Sequence, residues 1–286
     1  MIGIVVSKED TASQLIGENL RDLRDWDTYT DESLQSGHGD EVYQCDGFEM
    51  RIFDDLHLSL SDVSSLFNSP DLIIFASRHA GDTGPLLTTH FTGNFGSADY
   101  GGDPTELAIA APYAQRRIYH ALRKNAPPAY DVGIECTHHG PTNVGSPSLF
   151  VEIGSDAEQW QDTSAAKAVA QSILAVEGIN VQSNKQIVWF GGGHYASRPE
   201  KIIKETDWSV GHIAADWSLT SLGSPQDHTD VIQQVFEKSD ATKAVIEGDH
   251  TSLSEVISQL GYQVTSETWI RETDGVALSL VAQLER

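Results

Sequence analysis

Leu72-Ile73-Ile74-Phe75-Ala76 runs directly into Ser77-Arg78-His79. Apolar residues without a polar break are the mark of a strand covered on both faces, because a half-exposed strand alternates. Working outward, further strands are expected at Ile2–Val6, Phe48–Phe53, Leu107–Ala111, Val132–Thr137, Leu149–Ile153, Ile187–Phe190, Val210–Ala214 and Ala244–Glu247. Helical spacing falls between them, at Thr11–Leu23, Tyr113–Lys124, Ser164–Glu177, Pro199–Glu205, Thr229–Lys238 and Leu253–Leu260, with a short helix at Asp62–Phe67. Residues 24–47 are polar and irregular and read as a surface excursion. Strands alternating with helices predict the α/β class: a three-layer, mostly parallel sheet with helices on both faces. No repeat, low-complexity tract or linker interrupts the pattern, so one domain is expected over residues 1–286.

Asp and Glu number 42 against 18 Lys and Arg, a formal charge of −24. Disorder is a common cause of such acidity, but 39% hydrophobic content and clear periodicity argue for a folded core. The excess acid reads as a coat suited to a host with high internal salt, where a Debye length of ~3 Å at 1 M screens self-repulsion. It counts against nucleic-acid binding by a basic face. The nearest cationic group, Arg116-Arg117 with Arg123-Lys124, lies in a helix-like stretch and reads as a solvated face. No segment approaches the ~20 apolar residues of a membrane span. Met1–Val6 leads straight into a strand without a basic region and apolar core, so the expected location is the cytoplasm, with no membrane partner. Cys45 and Cys136 form neither a disulfide framework nor a CxxC knuckle.

Ligands of open α/β sheets bind beyond the carboxyl ends of the strands. The strand at 72–76 runs out into His79, that at 132–136 into His138-His139, that at 187–190 into His194 and that at 244–247 into His250. Four strands thus bring imidazoles to one edge, more order than random placement of 11 histidines gives. Strand alternation would point Glu135 and His139 together and His138 away. Glu135 lies between Ile134 and Cys136, and Glu152 between Val151 and Ile153. A carboxylate there needs a partner, and near histidines it suits metal coordination or general-base work; pairing with an arginine such as Arg78 is the plainer reading.

Gly191-Gly192-Gly193 follows a strand directly and could offer amides to an anion or oxyanion, or simply make a flexible turn. Thr88-Thr89-His90-Phe91-Thr92-Gly93-Asn94-Phe95-Gly96 reads as a substrate loop whose aromatics stack on a base, or as an ordinary surface loop. Neither a GxSxG elbow nor HExxH nor a P-loop is present. Cys136 is too enclosed by its neighbours to serve as a nucleophile.

At these segments the chain resembles the D-aminoacyl-tRNA deacylases of the archaeal and plant type. The resemblance rests on FASRH (75–79), LTTHFTGNFG (87–96), ECTHHGPT (135–142), FVEIGS (150–155) with Trp160, GGGHYA (191–196) and GHI (211–213), in family order. It implies a phosphorylase/hydrolase-like fold, a zinc-dependent monomer, and hydrolysis of the ester joining a D-amino acid to the terminal ribose of tRNA. The catalytic candidates are then His139, Glu135, His138 and His194, and the zinc candidates are His79, His139, Glu152 and His194. Substrate-binding candidates are Arg78, Thr89, His90, Thr92, Asn94, Gly191, Gly192, Gly193, Tyr195 and His212. Where the family often carries a Lys-Tyr pair this chain has Asp216-Trp217, which argues against a phosphate contact there. D-aminoacyl-tRNA is the implied partner, and no protein partner is implied.

The expected mechanism is attack of a zinc-activated water on the aminoacyl carbonyl, with Glu135 orienting or deprotonating it; a metal-free route would use a histidine as general base. Other readings are a zinc carboxypeptidase-like or nucleoside phosphorylase-like enzyme on a related fold, and a non-catalytic module binding RNA ends or a metal.

Overall fold

In the computed structural model, residues 1–178, 185–266 and 278–285 are described. The first half contains β1 (Ile2–Ser7), α1 (Thr11–Leu23), β2 (Asp27–Thr30), β3 (His38–Cys45), β4 (Phe48–Phe53), β5 (Leu72–Arg78) and β6 (Leu86–His90). Next come α2 (Pro112–Asn125), β7 (Asp131–Ile134), β8 (Ser148–Gly154), α3 (Ala157–Trp160) and α4 (Thr163–Leu174). The rest is β9 (Gln186–Phe190), α5 (Ser197–Glu205), β10 (Ser209–Ala214), α6 (Asp216–Leu222), α7 (Thr229–Glu237), β11 (Lys243–Ile246), α8 (Thr251–Gln259), β12 (Gln263–Ser266) and α9 (Leu278–Leu284).

The apolar run Leu72–Ala76 is interior: β5 is paired in parallel on both sides, by β1 and β8. The strands are divided between two sheets. A mostly parallel eight-stranded sheet has the order β2-β3-β4-β1-β5-β8-β6-β7, and a parallel four-stranded one has the order β10-β9-β11-β12. In the larger sheet β6 runs antiparallel to β8 and parallel to β7. One face of that sheet packs Ile4, Val6, Ile74, Leu87 and Val151 against Ile16 and Leu20 of α1, Ile118 of α2 and Val169 and Ile173 of α4. Its other face carries Val5, Ile73, Phe75 and Phe150 under Val63 and Phe67. The smaller sheet is covered on both faces, by α7 and α8 on one and by α5 and α9 on the other.

The two sheets are stitched by residues 134–137. Beyond the end of β7, Ala196 N–H donates to the Ile134 carbonyl at 3.0 Å, Cys136 N–H to His194 at 2.8 Å and Thr137 N–H to Ile213 at 2.9 Å. Ile134 and Cys136 accordingly join a core with Ile187, Trp189 and Val210 of the smaller sheet.

Four expectations are corrected. Residues 24–47 hold the β2–β3 hairpin; every residue of β2 is exposed at the sheet edge, so no apolar face marks it. Leu107–Ala111 is buried except at Ile109, yet it is no strand. Its amides go to separate partners: Ala108 to the Thr92 carbonyl and Ala110 to that of Lys238. The Val132–Thr137 strand stops at Ile134, where the chain turns to the other sheet. Leu86–His90, read partly as a loop, is the buried strand β6.

Candidate active site

Five histidines and two glutamates meet where the two sheets adjoin. Glu135, just past β7, is buried, and its Oε2 accepts from His194 Nε2 at 2.8 Å. Its Oε1 lies 3.2 Å from His79 Nδ1, at the end of β5. Glu152, on β8, faces the same ring at 3.5 Å and His90 Nε2 at 3.5 Å. Both carboxylates are therefore paired with histidines rather than with an arginine. Burial alone would raise their pKa, but these neighbours hold Glu135 well below the usual carboxylate range and lower Glu152 too.

The imidazoles fall into two electrostatic groups. Burial works against a charge on His79, yet hydrogen bonding to Glu135 and Glu152 raises its pKa to about 11; its Nε2 sits 3.0 Å from the Tyr195 hydroxyl. His90, fully buried, is likewise raised because the neighbouring Glu152 carboxylate outweighs desolvation. His138 is driven well below the ordinary histidine value, by burial first and the nearby His90 charge second. The same causes bring His139 to about 4. One site thus holds imidazoles suited to carry protons beside imidazoles suited to accept them.

His90, His138 and His139 share a further trait. Each places Nδ1 on a backbone carbonyl: Phe91 at 3.0 Å, Cys136 at 2.9 Å and Gly140 at 2.6 Å. A carbonyl only accepts, so each Nδ1 carries a proton; the neutral rings of His138 and His139 keep an Nε2 lone pair, while His90, paired with Glu152, would have to give up its Nε2 proton to bind a metal. The three residues offer ring nitrogens within 4.8 Å of one another. His90 Nε2 and Glu135 Oε1 are buried, and their contacts to Glu152 and His79 are ionic ones without good hydrogen-bond geometry. Nδ1–H fixed on carbonyls with Nε2 turned to a common point is how metal-binding histidines are oriented, and three such nitrogens suit zinc. His79-Glu135-Glu152 and Cys136-His138-His194 form two further trios. The expected quartet of His79, His139, Glu152 and His194 is distributed over all three.

A cavity of about 760 Å³ opens over this centre, lined in part by Asp10, His57, Arg78, His79, Asn94, Phe95, Tyr100, His138, His139, Glu152, His194 and Trp217. Of the substrate-binding candidates, Arg78 and Asn94 reach its wall, His90 lies beneath the His138 and His139 rings, and Tyr195 bonds His79. Thr89, Thr92, His212 and the triple glycine do not form its wall. Thr89 donates to the Phe150 carbonyl at 2.7 Å and Thr92 to the Pro141 carbonyl at 2.6 Å, as buried strand and loop residues do. His212 is buried with both nitrogens engaged, Nε2 at 2.8 Å from the Ala108 carbonyl and Nδ1 at 3.0 Å from the Thr137 hydroxyl; burial takes it to about 4. The glycines serve a close approach, but to Glu247. A Cβ on Gly191 (φ +98°) would stand 2.1 Å from the Glu247 carbonyl oxygen, and one on Gly192 would stand 2.6 Å from its carboxylate.

Other expectations shift as well. His139 adopts φ +45° outside any strand, so alternation does not apply. It packs on His90 and Phe150, while His138 is the one near Glu135, at 3.7 Å. Phe91 is core rather than a stacking platform. His250 pairs with Asp216 at 3.1 Å, outside the cluster. Cys136 is buried, beside Nδ1 of His194 at 3.6 Å, and burial pushes its thiol up to about 12, consistent with an inert thiol. Asp10, His57 and Tyr100 carry no expectation from the sequence, and Trp217 enters it only as half of the Asp216-Trp217 pair. Asp10 had a signal, standing just before a helix: it caps α1 through Ser13 N–H and also accepts from Arg78 N–H at 2.9 Å.

The GPT segment of the histidine motif has a structural task. A Cβ on Gly140 would meet Gly102 N at 2.3 Å, and its N–H donates to the Tyr100 carbonyl at 3.0 Å. Asn94 Nδ2 donates to the Gly101 and Asp103 carbonyls, and Thr142 Oγ1 accepts from Asp103 N–H. The loop carrying Tyr100 is pinned at the cavity from both sides.

Comparison with known proteins places this geometry. The family model described as D-aminoacyl-tRNA deacylase matches residues 66–265. A protein of Natronomonas pharaonis named D-aminoacyl-tRNA deacylase is 53% identical over 100% of this chain and 65% of its own length. One of the same name from Halobacterium salinarum is 49% identical over 100% of this chain and 61% of its own. The chain thus spans less than two thirds of those relatives. A namesake from Methanosarcina mazei is 35% identical, covering 96% of this chain and 95% of that protein. The crystal structure of AF0625, a conserved protein of unknown function, superposes with a TM-score of 0.83 at 28% identity, covering 93% of this chain and 95% of that one.

Proposed function

The chain belongs to the D-aminoacyl-tRNA deacylase family, and from that premise we propose that it hydrolyses the ester of D-aminoacyl-tRNA to free D-amino acid and tRNA. The observation that carries the reading is the meeting of five histidines and two glutamates around one cavity. Ester hydrolysis needs a proton acceptor for the attacking water, a site for charge on the carbonyl oxygen and a donor for the leaving ribose oxygen. The carboxylate of Glu135 is the acceptor beside the cavity, and the neutral ring of His138 takes that role only on a metal-free route. His194, bonded to Glu135, orients that carboxylate. His79, cationic and bonded to Tyr195, is the proton reservoir on the opposite side.

Zinc is the proposed cofactor, with His90, His138 and His139 as the residues that would hold it in place of the quartet first expected. When bound, it lowers the pKa of a water towards ~7 and polarises a carbonyl. The proposed working state is a cytoplasmic monomer in concentrated salt; the acidic composition supports the salt, and among the described residues no helix is long and apolar enough to cross a membrane.

The test is release of D-tyrosine from D-Tyr-tRNA in high salt, with L-Tyr-tRNA as control. Equal cleavage of both esters overturns the D-specific reading. Full activity after exhaustive chelation, with metal analysis confirming the loss, overturns the zinc assignment.

A further inference from the structure

Among the described residues five large hydrophobic side chains are exposed, and three gather at this site: Tyr100 (73%), Trp217 (48%) and Tyr195. Tyr195 is held by His79, but Tyr100 and Trp217 present their rings at the cavity wall. An exposed aromatic usually sits on a loop free to fold it away. The backbone of Tyr100 is instead fixed by Gly140, and its neighbour Gly101 is held by Asn94 and pressed on Leu58, whose carbonyl oxygen would lie 2.2 Å from a Cβ there. Trp217 is layered over His194, with ring centroids 6.5 Å apart at 28°. Both rings are thus held out towards solvent, one above a member of the catalytic cluster.

The charge of the wall selects what they meet. Asp10, Asp99 and Glu152 line the cavity against the Arg78 guanidinium and a His79 cation already paired with Glu135 and Glu152, so phosphate neutralisation contributes little. Stacking needs no positive charge and persists in salt. We propose that Tyr100 and Trp217 form the platform on which the terminal adenine base of the substrate stacks, setting the ester over the histidine cluster. The inference rests on the deacylase reading and names how the nucleic-acid end is held.

The test compares wild type with Tyr100→Ala, Tyr100→Phe and Trp217→Phe in deacylation of D-Tyr-tRNA, and measures adenosine 5′-monophosphate binding by calorimetry. Tyr100→Ala is expected to raise KM and weaken nucleotide binding by on the order of 10-fold, with kcat nearly kept. Both Phe variants, which retain a ring, are expected to recover most of the nucleotide affinity that Tyr100→Ala loses. Tyr29→Ala, an exposed tyrosine on β2, is the surface control. Unchanged KM and nucleotide affinity in Tyr100→Ala, or no nucleotide binding by the wild type, overturn the platform. Nucleotide binding lost in Tyr100→Ala, with wild type inactive on D-Tyr-tRNA, overturns the deacylase reading and leaves the platform standing.

Discussion

Glu135 and His194 are 59 positions apart in sequence, lie in loops that follow different sheets, and meet at 2.8 Å. The carboxylate is buried and ionised only because its partners are in place, so charge and fold are interdependent at this point. Glu135→Gln keeps the volume and an acceptor for His194 but removes the charge. Deacylation is expected to fall by ~10²–10⁴-fold, with far-UV circular dichroism unchanged. Wild-type turnover in the glutamine variant would remove Glu135 from the chemistry.

Gly154 ends β8 against the His79 ring, and a Cβ there would stand 2.7 Å from His79 Cδ2. Gly154→Ala therefore pushes the ring from Glu135 and Glu152. The expected result is a soluble protein with kcat lowered at least ~10-fold, a misplacement effect rather than loss of a group. Steady-state kinetics on the purified variant decide it.

His212 separates packing from chemistry. Its folded pKa of about 4 lies below the unfolded ~6.5, so the native state favours the neutral ring. Its contribution is complete above pH ~6.5 and is lost as pH falls towards 4, where both states become protonated; the range is on the order of 3 kcal/mol. His212→Gln can keep the bond to the Ala108 carbonyl and does not titrate. Denaturant unfolding between pH 7 and 4 should then show a shallower decline than wild type, with kcat and KM on D-Tyr-tRNA little altered. A large rise in KM would return His212 to the substrate site.

A formal charge of −24 makes the chain repel itself at low ionic strength. Thermal midpoints should rise steeply as KCl goes from about 0.1 M to 1 M, where the Debye length shrinks from ~10 to ~3 Å. A midpoint independent of KCl would dissociate the acidic coat from salt adaptation.

The interior strands and the long helices were legible because their burial is complete and their periodicity clean: β1, β5, β8, α1 and α2 stand close to their expected bounds. The β2–β3 hairpin was not, since an edge strand with every residue exposed has no apolar face to read. Division into two sheets was also hidden; periodicity along a chain does not say which strands pair. At the site, convergence of His79, His138, His139 and His194 was legible from strand ends. His90 was placed in a substrate loop because the threonines of β6 disguise a buried strand. The orientations of His138 and His139 were misread, because a left-handed φ of +45° at His139 breaks the alternation that a strand would impose.

The stitch at residues 134–137 has a consequence for inactivation. Those backbone bonds are among the contacts that join the two sheets, with Ala110 N–H to the Lys238 carbonyl and Tyr119 to Glu200, and Glu135 itself sits within them. Loosening of this join would disperse the histidine–glutamate cluster, and with it the proposed activity, before the strands and helices on either side melt. On warming, lost turnover should thus precede lost ellipticity, and a ligand spanning the join should delay both.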